Sequence, residues 1–469
     1  MNKENVFLMI KEISNIANLR ILNLYMDIEK RFPRTAQVVR QLVSKYFPGL
    51  ARYYGKIYKS LSKIHYGNNH ILDLDLVVEK EKQIFLKLKK SYSQVQPKCI
   101  VVGILPPSTS SIARYNLKVY AHANQVAFLA SNYSISQALE SFVLTGQQII
   151  PQTEASFFID ANAHYVLTLG NSPEHIKSIE TFAEINKNYD KSYTLQLHEV
   201  DLFWLLSLIL GNNFMENSKN VTSSVEKVSR IASGLTALFL ICGVPSQIIV
   251  HTRLAEELIA RALKVTNITI SKGIFVVSIP TVDSKDELHE AMIRSDRIGN
   301  TLNSEIRVGT FGAADSHKEI EYVFEVLKKV QKNTPELNWV IAGKNAHLYT
   351  SSNRIRAEWI TIYDAPSHFE LLQLMASCNF ALQFRWNPNG EASGIFQQLR
   401  SMQVPTLYSK ESTWEDANPL SRAFSKNESL GIPLYIRNLS GSRILSRKVT
   451  FDDPIDTWNQ IWKIVSENL

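Results

Sequence analysis

KCIVVGILPPSTSSIARYNLKVYAHA, residues Lys98–Ala123, sets an apolar run of strand length before a Pro/Ser loop and then a helical spacing of apolar residues. An unbroken apolar run is what a strand buried on both faces requires, and such strands belong to parallel sheets whose crossovers are helices. The same strand, loop and helix order returns in HYVLTLGNSPEHIKSIETF (His164–Phe182), SYTLQLHEVDLFWLLSLIL (Ser192–Leu210) and QIIVHTRLAEELIARAL (Gln247–Leu263). Repeated alternation of this kind predicts an α/β fold, a parallel sheet with helices on both faces and ligands at the carboxyl ends of its strands. Asn171, His198 and His251 stand at those ends.

A stretch rich in Asp, Ser and Asn, TVDSKDELHEAMIRSDRIGNTLNSE (Thr281–Glu305), interrupts the series, and the alternation then starts afresh. IRVGTFG, NWVIAGK, WITIY, NFALQFR and TLYS read as strands, with EIEYVFEVLKKVQ, HFELLQLMA and SGIFQQLRSM as helices. The predicted organisation is a mainly helical N-terminal region (1–97), a doubly wound domain (98–300), a second (301–450) and a terminal helix (451–469) packing back on the body. Trp458 and Trp462, four residues apart, give that last helix an aromatic stripe that suits either domain. Two doubly wound domains joined by a linker place a cleft between them.

Length and composition agree with several domains, since 469 residues exceed what one core sustains. Cys99, Cys242 and Cys378 lie far apart and form no CxxC pair, which argues against a disulfide framework or a zinc site and fits a reducing cytoplasm. Charges interrupt every apolar stretch at the N-terminus, so no secretory signal is read there. The longest apolar run, Ala232–Val250, is divided by Pro245, Ser246 and Gln247 into a helix and a short strand, too broken to span a bilayer.

Residues 1–98 hold 18 Lys and Arg against 8 Asp and Glu, whereas the whole chain is only +7, so the basic character belongs to one end. In ARYYGKIYKSLSKIHYG (Ala51–Gly67), Tyr54, Tyr58, Leu61 and Ile64 share a helical face while Lys56, Lys59 and Lys63 lie mostly elsewhere. Such a helix rests on an anionic lipid surface or packs its apolar face on the domain behind it. The expected location is cytoplasmic and peripheral to a membrane; a nucleic-acid partner is not expected.

RWNPNGEASGIFQQLRSMQVP, Arg385–Pro405, concentrates the chemistry. The strand NFALQFR delivers Arg385 to a carboxyl end, a Pro/Asn/Gly loop follows, and Ser393 is a plausible N-cap for the next helix. Free N–H groups and the helix dipole there attract anions, so a diphosphate fits at Ser393 and Gly394 with Arg385 as a bidentate clamp. A carboxylate beside phosphate, Glu391, suits sugar hydroxyls; a solvent-exposed turn is the plainer alternative. No HExxH, GxSxG or P-loop pattern occurs, which leaves zinc protease, hydrolase and NTPase readings without support.

This passage resembles the donor-site signature of family 4 retaining glycosyltransferases of the GT-B fold, in the branch with GE(S/T/A)SG before a helix ending in G-x-P. IRVGTFGAADSHKEIEYVFEVLKKV, VVGILPPSTSSIARYN, GNSPEH, LHE and IIVHT resemble further segments of that family, in its order, over roughly residues 99–410. The resemblance implies two Rossmann-like domains facing a cleft, with a nucleotide-sugar donor in the C-terminal one and a glycan or lipid-linked acceptor in the N-terminal one. It implies that Lys318 and Arg385 neutralise the donor diphosphate beside Gly312, and that Glu391 holds donor-sugar hydroxyls. Ser393 and Gly394 would supply backbone donors, and His198 would lie beside the transferred sugar. Pro106, Asn171 and His175 would shape the cleft; Asn171 and His175 serve equally as caps. No cofactor and no metal are expected.

The chain departs from the pattern in three places. The second motif glutamate, which grips the nucleotide ribose, falls on Gln398 or Leu399, leaving at most the Gln398 amide for that task. Ser110 and Ser111 stand where the family prefers glycine, and VGTFG lacks the usual arginine. These departures keep a second expectation open, a non-catalytic GT-B subunit or a sugar- or nucleotide-binding partner of another glycosyltransferase. His251 and His317 read as structural or solvent-facing.

Overall fold

The computed structural model describes residues 97–106, 108, 110–120, 126–130, 148–151, 163–189, 192–210, 223–281, 283–299, 305–314, 318–386, 388–412, 421–425, 428, 431–433, 435–436 and 454–466. The basic amphipathic helix read in the first 96 residues and His317 lie outside them.

The first sheet is built from β1 (Cys99–Gly103), β2 (Val126–Ala130), β3 (Gln148–Pro151), β4 (His164–Leu169), β5 (Tyr193–Leu197), β6 (Gln247–Val250) and β7 (Ile274–Val276). Its helices are α1 (Ser111–Tyr120), α2 (Ile176–Tyr189), α3 (Phe203–Leu210), α4 (Ser224–Cys242) and α5 (Arg253–Thr266). Spatial order is β3-β2-β1-β4-β5-β6-β7, with every pairing parallel. β1, β2, β4, β5 and β6 are buried at every position, the reason their sequences are mostly apolar, with Thr168, Thr194, Gln196 and Gln247 among the buried polar exceptions.

After α6 (Lys285–Gly299) the second sheet follows, from β8 (Ile306–Phe311), β9 (Leu337–Gly343), β10 (Ile360–Asp364), β11 (Phe380–Gln383), β12 (Thr406–Ser409) and β13 (Arg422–Phe424). Its helices are α7 (Ile320–Gln331), α8 (Ala346–Ser352), α9 (His368–Ser377) and α10 (Gly394–Ser401). The order β10-β9-β8-β11-β12-β13, again all parallel, reverses direction between β8 and β11. Two apolar clusters divide its residues with a period of two: Trp339, Ile341, Phe380 and Leu382 enter one, Val340, Ala342 and Ala381 the other. β2, β3, β7 and β13 add to the strands read from sequence; β7 and β13 have only three residues each, too short for a periodic signal.

The broken apolar run resolves as expected, with α4 ending at Cys242 and β6 starting at Gln247. Among the described residues no helix is long and apolar enough to cross a membrane. α4 also begins earlier than its apolar run, at a capping box formed by Ser223 and Glu226. The last helix, α11 (Pro454–Ser466), returns to the first domain: Trp458 meets Tyr120 of α1 at 5.4 Å between ring centroids, and Gln247 of β6 donates to the Ile464 carbonyl at 3.3 Å.

Candidate donor and acceptor site

Each sheet reverses its strand order once, between β1 and β4 and between β8 and β11. At such points the neighbouring crossovers leave to opposite faces and open a crevice. The candidate residues gather at these two places.

At the second, β11 delivers Arg385 just beyond its carboxyl end. Ser409, at the end of β12, fixes that backbone by accepting from the Arg385 N–H and donating to the Arg385 carbonyl, both at 2.7 Å. The Arg385 guanidinium pairs with Glu391 (Nη1 to Oε1, 2.5 Å), and the other Glu391 oxygen accepts from the Asn389 N–H at 2.6 Å. The pair is mostly shielded, at 19% and 15% side-chain exposure, so its attraction is little screened by solvent. Ser393 caps α10 by accepting from the Phe396 N–H at 3.2 Å.

Lys318 is buried beside Gly312, its Nζ donating to the Phe311 carbonyl at 3.2 Å and to the Gln383 amide oxygen at 3.3 Å. Gly312 has φ +98°, and a Cβ there would come 3.1 Å from the lysine Nζ. Glycine therefore keeps the lysine's position open. The Gln383 amide nitrogen is buried without a partner among the described residues.

The loop between β11 and α10 is held by the first domain. Lys227 of α4 donates to the Pro388 carbonyl and Thr252, the N-cap of α5, to the Gly390 carbonyl, each at 2.7 Å. Gly390 has φ +78°, and a Cβ would lie 2.7 Å from the Ala255 Cα. Only glycine satisfies both the left-handed turn and this close approach.

The first reversal point is built mainly from buried rings, with Glu199 as its carboxyl. His198, at the end of β5, is buried with its Nε2 unpartnered among the described residues; its ring centroid lies 4.5 Å from those of both His251 and Tyr115. His251 donates from Nδ1 to the Val277 carbonyl at 2.7 Å, and Gln196 bridges it to Tyr115 and Tyr120. Burial, then the neighbouring His251 and His175, hold His198 well below its usual range. Burial lowers both His175 and His251 to about 4. The three are neutral at physiological pH, and His251, read as structural or solvent-facing, is buried beside His198.

Asn171 and His175 follow β4, His175 wholly buried in a short 3-10 turn and the Asn171 N–H donating to Glu199 at 2.7 Å. Glu199 is a residue that the sequence reading passed over. Burial raises its carboxyl, and the charges of Glu391 and Arg385 act on it with opposite sign, which puts it within electrostatic reach of the second site. Its sequence signal was its place beside His198 in LHE. Pro106 is half-buried in the turn before α1. The two serines in place of glycine are used locally: Ser110 Oγ accepts from the Ile112 N–H at 3.2 Å, and a Cβ on Gly394 would lie 4.0 Å from that of Ser111. The starts of α1 and α10 therefore face each other across the cleft.

Gln398 is buried and donates its amide to Asp283 at 2.7 Å. Asp283 also receives Arg114 of α1 at 3.1 Å and the His368 ring of α9. Burial would raise the Asp283 carboxyl, but His368, Gln398 and Arg114 hold it below the ordinary carboxylate range. Among the described residues no group of three or more His, Cys, Asp and Glu side chains is arranged to hold a metal ion.

No family model and no curated protein matches the sequence. Among solved structures the chain is similar to Anabaena HepE in complex with UDP, at 9% identity and a TM-score of 0.51 over 79% of this chain and 100% of that one. It is similar to the same protein with UDP and glucose, at 10% identity and a TM-score of 0.50 over the same shares. An α,α-trehalose 6-phosphate synthase from Burkholderia multivorans aligns at 9% identity and a TM-score of 0.49, over 80% of this chain and 95% of that one. The HepE likeness and the two parallel sheets make the fold GT-B.

Proposed function

We propose that the chain is a retaining glycosyltransferase of the family 4 type, moving a sugar from a nucleotide-sugar donor to a glycan or lipid-linked acceptor in surface polysaccharide or glycoconjugate assembly. The observation that carries this reading is the Arg385–Glu391 pair at the end of β11, beside the capped start of α10 and the buried Lys318. A clamp of opposite charges is what a ligand with an anionic end and a hydroxyl-rich end requires. Arg385, turning from Glu391, meets the diphosphate with Lys318 and the Ser393 and Gly394 amides, while the freed Glu391 carboxylate accepts from sugar hydroxyls. HepE, similar in fold, is known with UDP and with UDP and glucose, which makes UDP-sugars the first donors to try.

Region 301–450 then binds the donor and region 98–300 the acceptor. In the transfer, the acceptor hydroxyl oxygen bonds to the anomeric carbon on the face that the diphosphate leaves. The glycosidic C–O bond breaks toward phosphate, and the hydroxyl proton passes to the leaving phosphate oxygen. Arg385 and Lys318 stabilise the charge that develops there. His198, neutral, offers a hydrogen bond without adding charge, and Asn171, His175 and Pro106 shape the acceptor side.

A panel of UDP-, GDP- and ADP-sugars assayed for hydrolysis and transfer tests the reading, with Glu391→Ala as control. Turnover by the wild type that the substitution abolishes supports it; turnover unchanged by the substitution removes Glu391 from the site. The second reading, a non-catalytic subunit, is favoured by the commitment of Gln398 to Asp283, which leaves no side chain from that position for a ribose. It predicts nucleotide binding without turnover of any donor. The basic N-terminal end supports a peripheral membrane location. Flotation of the full chain with anionic but not with neutral vesicles, lost at high salt, is the expected result.

A further inference from the structure

Asp283 is fully buried, at 0% side-chain exposure, in the segment that joins the two domains. Four groups from that segment and three helices meet there. Arg114 comes from α1 in the first domain, His368 from α9 and Gln398 from α10 in the second. One turn further along α10, Ser401 hydrogen-bonds Thr281, two residues before Asp283. Gln398 and Ser401 thus face the same way, and both grip the connecting segment, while the N-terminus of the same helix carries Ser393 and Gly394.

We propose that Arg114, Asp283, His368 and Gln398 form an interdomain latch, in which Gln398 is a positioning residue that fixes α10 against the connecting segment and not a ligand of the nucleotide ribose. The chemistry explains the residue type. A buried carboxylate with an arginine and a histidine on one side needs a donor on the other, and an amide nitrogen supplies it. A glutamate at 398 would set a second carboxylate 2.7 Å from the first, so the amide and Asp283 act as a matched pair. Because α10 is eight residues long, a displacement at Gln398 is transmitted to its first amides through a little more than one turn. The latch therefore ties domain geometry to the anion-binding end of α10; only that consequence rests on the donor-site reading, the latch itself on the contacts.

The test is a double-mutant cycle on the full chain with Gln398→Glu, Asp283→Asn and both together, read by thermal unfolding and by UDP titration calorimetry. Each single substitution is expected to lower the unfolding midpoint by about 4 °C or more. The double variant, which exchanges carboxylate and amide, is expected to recover most of that loss, and UDP binding is expected to weaken in each single variant and recover in the double. Additive losses, or a Gln398→Glu chain that melts like the wild type and binds UDP more tightly, would overturn the latch and return residue 398 to the ribose. Should the wild type bind no UDP, the donor reading fails, while the unfolding cycle still decides the latch.

Discussion

The two strand-order reversals hold the same place in two similar sheets and are built from opposite materials. Around the ends of β5 and β6 the chain buries His198 against His251 and Tyr115, Gln196 bonds the last two, and Glu199 is the carboxyl beside them. Beyond β8 and β11 it places Lys318, Arg385 and Glu391. Burial without an opposite charge removes the proton from a histidine, whereas an arginine keeps its charge and draws a carboxylate to it. The difference teaches that the fold gathers Lys318 and Arg385 at one reversal, while the other offers hydrogen bonds of fixed direction.

The sharpest way to break this contrast is to exchange the importance of the two sides. Arg385→Ala should lower kcat/KM for transfer about 10²- to 10³-fold, the cost typical of removing a group that stabilises developing charge. His198→Gln should cost less, and initial rates on one donor compare them; equal losses would erase the asymmetry. Lys318→Met comes next, with UDP affinity expected to fall about tenfold or more, since a hydrogen bond to a charged group contributes about 1.5–3 kcal/mol.

Acidification probes the buried histidines of the first domain. His164, His175 and His251 are held near 4 in the folded chain and titrate near 6.5 when unfolded. Between those values the unfolded chain binds protons that the folded chain refuses, so stability is full above about 6.5 and falls as pH drops toward 4. The slope approaches about 1.4 kcal/mol per pH unit for each such histidine. Urea midpoints at pH 7, 6 and 5 should show it, and His251→Gln should reduce the slope by one proton. The smallest effect expected is that of Ser393→Ala, about 1 kcal/mol of helix capping with a fewfold loss of UDP affinity.

Much of the fold was legible because buried parallel strands are predominantly apolar and alternate with helices. VVG, VLTL and IIV declare themselves, and so does the Pro245 break. The candidate site at the end of β11 was legible for a related reason: Arg385, Gly390, Glu391 and Ser393 lie within nine residues, so a local turn brings them together. The rest depends on contacts distant in sequence. Asp283 finds Arg114 and Gln398 across 169 and 115 residues, and no local pattern marks an aspartate in a polar linker as the buried one. His198 and His251 meet because β5 pairs with β6, which only the sheet order reveals. The side chosen by the last helix was open until Trp458 met Tyr120.

That choice has a consequence for how such a chain is exchanged or recombined. With α11 on the first domain, the polypeptide passes between the two domains twice, and neither half of the gene encodes a complete first domain. A donor-domain graft with a single junction would pair α11 with a foreign surface and strip Tyr120 and Gln247 of their cover. Viable chimeras need two junctions, one near the start of the second sheet and one ahead of Pro454.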